Sequence, residues 1–305
     1  AAVVDTINSA SAATITGTSV TLNNADVTGN LILNATGGNV IGNGAITAGG
    51  AIDLDATGDV TFGDATAGTG FTVDAGGTIT FTSANTNDNA IIMNAGTSLS
   101  GGSLMTNAAG GGAGGNDDMI SLTAGGALTL TGTATSENGM NLIGDNVTAA
   151  TLVNTSGGGI TVAATNAAVV DTINSASAAT ITGASVTLNN ADIAGNLTLN
   201  ATGGNVDGNG VIAAGGAIDL DATGDVGFGN LNAPGGSFTV DAGNDINFTR
   251  ASSNDFITMT AAGSINGGDL DAANALNLDG GNIAVGVVSA GNINFASATD
   301  IRFDA

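Results

Sequence analysis

The 305-residue chain carries 51 glycines, no histidine, no cysteine and no tryptophan, and sets 26 acidic side chains against two basic ones, Arg250 and Arg302, for a formal charge of -24. Those absences exclude histidine- and cysteine-dependent catalysis, the usual zinc sites, disulfides and all lysine chemistry, and the charge disfavours nucleic acid and anionic membranes as partners. Nine phenylalanines are the only aromatic residues, so any core is thin, and no apolar run reaches the roughly 18 residues of a membrane span.

The first segment, AAVVDTINSASAATITGTSVTLNNAD, returns at residue 167. Residues 1–63 and 167–229 differ at eight of 63 positions, leaving 55 identical, at an offset of 166. The chain reads as a single repeat domain over 1–305, one full unit (1–166) followed by a shortened one (167–305).

Within each unit an apolar anchor closes motifs such as LILNATGG, AIDLDATG and FTVDAGG. It falls at Ile15, Leu33, Leu54, Val73, Met93, Leu122, Leu142, Val162, Ile181, Leu199, Leu220, Val240, Met259, Leu278 and Phe295. A recurrence near 20 residues is the mark of a solenoid. An apolar residue two positions before the anchor gives the alternation of a β-strand. A second apolar pair follows six and eight residues later (Val60 and Phe62, Ile79 and Phe81, Ile246 and Phe248), and a weaker third position occurs at Val27, Ile46, Leu104, Ile193, Ile212 and Leu270. The expectation is an all-β parallel β-solenoid of about 15 coils of ~20 residues with three short strands per coil, and Leu54 and Leu220 facing inward. The step from Met93 to Leu122 is longer, and its glycine-rich segment, about 103–118, is expected to project as an insertion loop.

The phrases AGGAIDLDATGDVTFG (48–63) and GTGFTVDAGGTITFTSA (68–84) resemble the strand repeats of filamentous-haemagglutinin-like bacterial proteins of the two-partner secretion type. The resemblance implies a right-handed β-helix, export across the outer membrane and a place in surface fibres, adhesion or biofilm matrix. It implies no catalytic residue.

The residue after the anchor is often Asn or Asp, so stacking brings carboxylates together. Asp53, Asp55, Asp59 and Asp74, with Asp219, Asp221, Asp225 and Asp241 in the second unit, offer hard oxygen ligands suited to calcium; solvated turn residues are the competing reading. A sugar-cleaving site would need two carboxyl groups, for which Asp55 with Asp74, or Asp117 with Asp118, are the available pairs. Without aromatic platforms for sugar rings, a non-enzymatic role is expected.

The expected function is an extracellular or cell-surface fibre subunit that assembles head to tail, with itself and a host or matrix polysaccharide as partners and without nucleic acid or membrane insertion. A stalk segment of a larger adhesin is the alternative. Solenoid ends expose strand edges that recruit another chain. The expected interface sets Ala2, Val3 and Ile7 against Ile293, Phe295, Ile301 and Phe303, each end supplying the strands that the other lacks.

Overall fold

Every alternating strand of this chain is too short and too sparsely apolar to be stable alone, and stacking in register on its neighbours supplies both backbone partners and a dry interior. The computed structural model describes residues 1–106 and 118–303. It is an all-β parallel β-solenoid of about 15 turns of about 19 residues, with no helix among the described residues. The chain divides into two compact units, Ala1–Gly158 and Gly159–Ala305.

In the first unit the anchors form one unbroken column on wall 1: Ile15, Leu33, Leu54, Val73, Met93, Leu122 and Leu142 are successive register partners. In the second unit Val162, Ile181, Leu199, Leu220, Val240, Met259, Leu278 and Phe295 do the same. Leu54 and Leu220 are buried, as their register requires.

Walls 2 and 3 differ from the expectation of separate strands. In most turns a single eight- to ten-residue strand covers both, as in Val60–Ala67. Its buried positions are Val60, Phe62, Ala65 and Ala67. The alternation skips one residue at Gly63 and Asp64, where the strand bends around the corner. Among the described residues, only the turn containing Val40–Gly42 and Ile46–Ala48 has the two pieces apart. The third apolar position also resolves into two inward columns. Ile46 and Leu104 share one column with Ala25, and Val27 lies two residues further on, paired with Ala48.

Four phenylalanines stack in pairs on wall 2. The Phe62 and Phe81 ring centroids are 5.5 Å apart at an interplanar angle of 12°, and those of Phe228 and Phe248 are 5.3 Å apart at 15°. Each pair ends on a glycine, Gly101 or Gly267, and the ring beneath occupies the space a side chain there would need.

Corners follow a second rule. Asn39 Oδ1 accepts the Asp59 amide (2.9 Å) and Asp59 Oδ1 accepts the Thr78 amide (2.8 Å). In the second unit Asn205, Asp225 and Asp245 accept the amides of Asp225, Asp245 and Ser264. In four of these five bonds the accepting oxygen sits where a Cβ would stand on the residue just before its donor, and that residue is glycine: Gly58 over Asn39, Gly77 over Asp59, Gly224 over Asn205 and Gly263 over Asp245; in the fifth, Asn244 precedes the donor Asp245.

At the end of wall 3 the inward column turns polar. Thr86 and Thr106 donate to the carbonyls of Asn89 and Asp118, and Ser136 donates to those of Gly139 and Asp118, at 2.7–2.9 Å. These buried hydroxyls satisfy loop carbonyls that strand pairing leaves over. Of the expected insertion at 103–118, residues 103–106 finish the strand Leu99–Thr106, and 107–117 lie outside the described residues. Asp118 is held at its far side, where its Oδ1 accepts the Asn89 amide (2.7 Å).

Two substitutions test these rules. Leu54→Ala should cost about 2–5 kcal/mol, because neighbours on both sides are fixed by the ladder and cannot close the cavity, measured as a lower urea midpoint with an unchanged m-value. Gly58→Ala should cost about 1–2 kcal/mol by pushing Asn39 Oδ1 off the Asp59 amide. Its cost should shrink in an Asn39→Gly background; equal costs in both backgrounds would break the corner rule.

Candidate functional site

Period-two alternation puts Asp53 and Asp55 together on the outer face of wall 1, two residues apart on the strand Ile52–Ala56. The parallel ladder then sets Asp74 beside Asp55, with Asn34 on the far side of Asp55 and Asn94 beyond Asp74. Neighbouring coils lie about 4.8 Å apart. The second unit repeats the arrangement with Asn200, Asp221, Asp241 and Thr260 in register and Asp219 alongside.

Partial burial on the strand face pushes the carboxyls of Asp53 and Asp55 above the ordinary aspartate range; Asp55 and Asp74 add to the effect at Asp53, and Asp74 adds at Asp55. Asp219 and Asp221 are raised in the same way, first by burial, then at Asp219 by Asp241 and at Asp221 by Asp219 followed by Asp241. One polar contact eases the crowding: Asn94 Nδ2 donates to Asp74 Oδ1 at 2.8 Å.

Each carboxylate row borders an open groove where wall 1 turns into the next corner. In the first unit it holds about 700 Å³, between the row Asn34, Asp55, Asp74 and Asn94 and the threonines Thr36 and Thr57, over a floor of alanines. Its counterpart in the second unit holds about 510 Å³, with Asp221 and Asp241 along its edge. The groove therefore offers a row of acceptors at coil spacing beside an apolar strip.

The calcium residues are brought together only in part. Asp53, Asp55 and Asp74 share one face, as do Asp219, Asp221 and Asp241. Asp59 and Asp225 are instead engaged in the corner ladders. Among the described residues no group of three or more acidic side chains converges at a spacing that could hold a metal ion. Of the carboxyl pairs for sugar cleavage, Asp55 and Asp74 are register neighbours, and Asp117 lies outside the described residues.

Sequence reading missed the corner ladders and a second amide ladder, in which Asn23 Nδ2 donates to Asp5 (2.7 Å) and Asn43 Nδ2 to Asn23 (2.9 Å), with Asp171, Asn189 and Asn209 repeating it. The available signal was the recurrence of Asn or Asp one turn before a glycine-led corner.

The residues expected to join copies stand at the two outer faces. On the head face, Ala2, Val4, Ile7 and Ser9 are the half-buried inward positions of the strand Ala2–Ser9, over buried Val20, Leu22, Ala25 and Val27. Val3 corrects the expected register: it is 75% exposed and points outward, and Val4 takes the inward place because Ala2 and Val4 stand over Val20 and Leu22. On the tail face, Ile293, Phe295, Ile301 and Phe303 stand over buried Leu276, Leu278, Ile283 and Val285. The Phe295 and Phe303 rings lie 5.5 Å apart.

The expected mutual filling of missing strands does not follow from these faces. Residues 2–4 and residues 300–303 both lie on wall 2 and are the outermost strands of their ends. Stacking wall 2 on wall 2 in a head-to-tail joint leaves walls 3 and 1 each one strand short.

The carboxylate rows predict a pH dependence of stability. A carboxyl whose folded pKa lies above its unfolded value near 3.8 holds its proton longer in the folded state, so its contribution is neutral below that value and turns destabilising as pH rises through the raised range. Asp55→Asn and Asp221→Asn should therefore raise Tm at pH 7, and the gain should vanish as pH falls below about 4. Thermal melts of the variants and parent between pH 3 and 8 check this; an unchanged or lower Tm at pH 7 would refute it.

No family model, curated protein or solved structure matches the chain, and what the fold and its columns identify is a β-solenoid repeat protein.

Proposed function

We propose that this solenoid is the shaft of an extracellular bacterial surface filament or adhesin, a mechanical element without a catalytic role, whose copies meet end to end. The observation that carries the proposal is the unbroken register of the inward columns, from Ile15 to Leu142 and from Val162 to Phe295. Hydrogen bonds in such a stack run along the coil axis, so an axial load is shared by the ladders of all three walls in every turn.

Three further features support the reading. The repeats resemble those of filamentous-haemagglutinin-like surface proteins. The charge of -24 keeps neighbouring shafts apart in low salt and lets them approach when salt or divalent cations screen it. The acceptor rows along the grooves suit the hydroxyls of a linear host or matrix polysaccharide, with the alanine strip against its ring faces.

Two measurements test the proposal. Antibody against the chain should label intact, unpermeabilised cells of the source bacterium; labelling only after lysis overturns the extracellular placement. Sedimentation of the purified 305-residue chain in moderate salt should show concentration-dependent species larger than the monomer, and a monomer at every concentration overturns end-to-end contact.

A further inference from the structure

Each unit sets an asparagine before a glycine at the corner between walls 2 and 3, and two separate demands of stacking put them there. Asn43 serves as a donor: its Nδ2 donates to Asn23 Oδ1 (2.9 Å), and Asn23 Nδ2 continues the ladder to Asp5 Oδ1 (2.7 Å). Gly44 serves by lacking a side chain, because a Cβ there would meet the Asn23 carbonyl and Asn24 Oδ1 of the turn beneath. Asn209 and Gly210 repeat the pair over Asn189 and Asn190. Meeting both demands creates an Asn-Gly sequence, in which an unhindered amide nitrogen follows a side-chain carboxamide.

That nitrogen can attack the carboxamide wherever the backbone is free to turn it toward Cγ. The sequence holds four Asn-Gly pairs, beginning at residues 43, 138, 209 and 266, and the fold separates them. Asn209 and Asn266 lie inside the continuous strands Val206–Ala214 and Ser264–Val285, whose extended backbone holds the following nitrogen away. Gly139 is buried, and its carbonyl accepts from the Ile120 amide and the Ser136 hydroxyl. Asn43 is exposed and lies between Val40–Gly42 and Ile46–Ala48, where the strand is interrupted. Its own amide is held by the Leu22 carbonyl, whereas the Gly44 amide makes no hydrogen bond among the described residues.

We propose that Asn43 is a site of spontaneous deamidation, the Asn-Gly pair that the folded chain leaves open to it. The Gly44 nitrogen gives up its proton to solvent base and bonds to Asn43 Cγ. The Cγ–Nδ2 bond breaks, and Nδ2 takes a proton from solvent and leaves as ammonia, giving a cyclic imide. Water then opens the imide at either carbonyl. Opening at Cγ leaves aspartate, and opening at the main-chain carbonyl leaves isoaspartate, with the chain routed through the former side chain. The net change is one water taken up and one ammonia released.

The product reverses the chemistry of the ladder. A carboxylate at position 43 has no hydrogen to donate and faces Asn23 Oδ1; if Asn23 turns its amide over, its oxygen faces Asp5 instead. Asp64, at the same corner one turn later, adds a further negative charge. Deamidation therefore charges and loosens one corner of the shaft as the chain ages.

Peptide mapping by mass spectrometry tests this on the folded 305-residue chain after long incubation at mildly alkaline pH, with the urea-unfolded chain as the reference in which every Asn-Gly pair reacts. The peptide holding residue 43 should convert to aspartate and isoaspartate forms severalfold faster than those holding Asn138, Asn209 and Asn266. Asn43→Gln, which closes the larger ring far more slowly, should stop conversion there and leave the other three rates unchanged. Asn43→Asp should lower Tm at neutral pH, and the deficit should shrink below about pH 4, where the protonated carboxyl again has a hydrogen for Asn23. A folded chain that keeps Asn43 while the unfolded chain loses it, or that converts another Asn-Gly pair first, would overturn the proposal; an Asn43→Asp chain as stable as the parent at neutral pH would overturn the effect on the ladder.

Discussion

Parallel pairing in register is the constraint on which everything else in this chain depends. It places each residue about 4.8 Å from the residue occupying the same position one turn earlier and one turn later, so chemistry is chosen by column. An apolar column gains from this proximity, and Leu33, Leu54 and Val73 are buried by it. A phenylalanine column stacks ring on ring until a glycine terminates it. An aspartate column loses: Asp55 cannot avoid Asp74, and partial burial, followed by that neighbour's charge, makes the Asp55 carboxyl hold its proton more tightly.

The same constraint accounts for the abundance of glycine. Gly58, Gly77 and Gly224 have ordinary backbone conformations, and no φ above zero occurs at any of them. What excludes a side chain there is the carboxamide or carboxylate of the preceding turn, seated against the backbone to accept an amide hydrogen that the corner would otherwise leave unpaired. The buried hydroxyls of Thr86, Thr106 and Ser136 answer the same need for carbonyls at the end of wall 3. A core made of small side chains is therefore matched by polar groups spent on the backbone at its corners.

Much of this was legible in the sequence, and the boundary has a physical cause. The anchor column was readable residue by residue because burial on one face of a strand leaves a period of two and stacking leaves a period near 20, two signals that confirm each other. The carboxylate rows were legible for the same reason, since Asp55 and Asp74 follow successive anchors. The corner role of Asp59 was not legible, because a corner residue carries no alternation and its hydrogen bond to the Thr78 amide leaves no mark in the sequence period. Val3 was misplaced because two adjacent valines fit either register and the outermost strand has one neighbour, not two, to decide between them.

The corner ladders also change how substitutions in this chain should be understood to propagate. An alteration at Asn39 is felt not by its own turn but by Gly58 and Asp59, and an alteration at Asp59 by Gly77 and Thr78. Influence thus passes in one chemical direction along the corner, from a side chain to the backbone one turn later. In a set of diverging sequences, an amide or carboxylate and the glycine some 19 residues after it would be gained and lost together as one unit of inheritance. That unit spans two turns, so a turn inserted or deleted between them keeps its neighbours compatible only when it carries both halves of the pair.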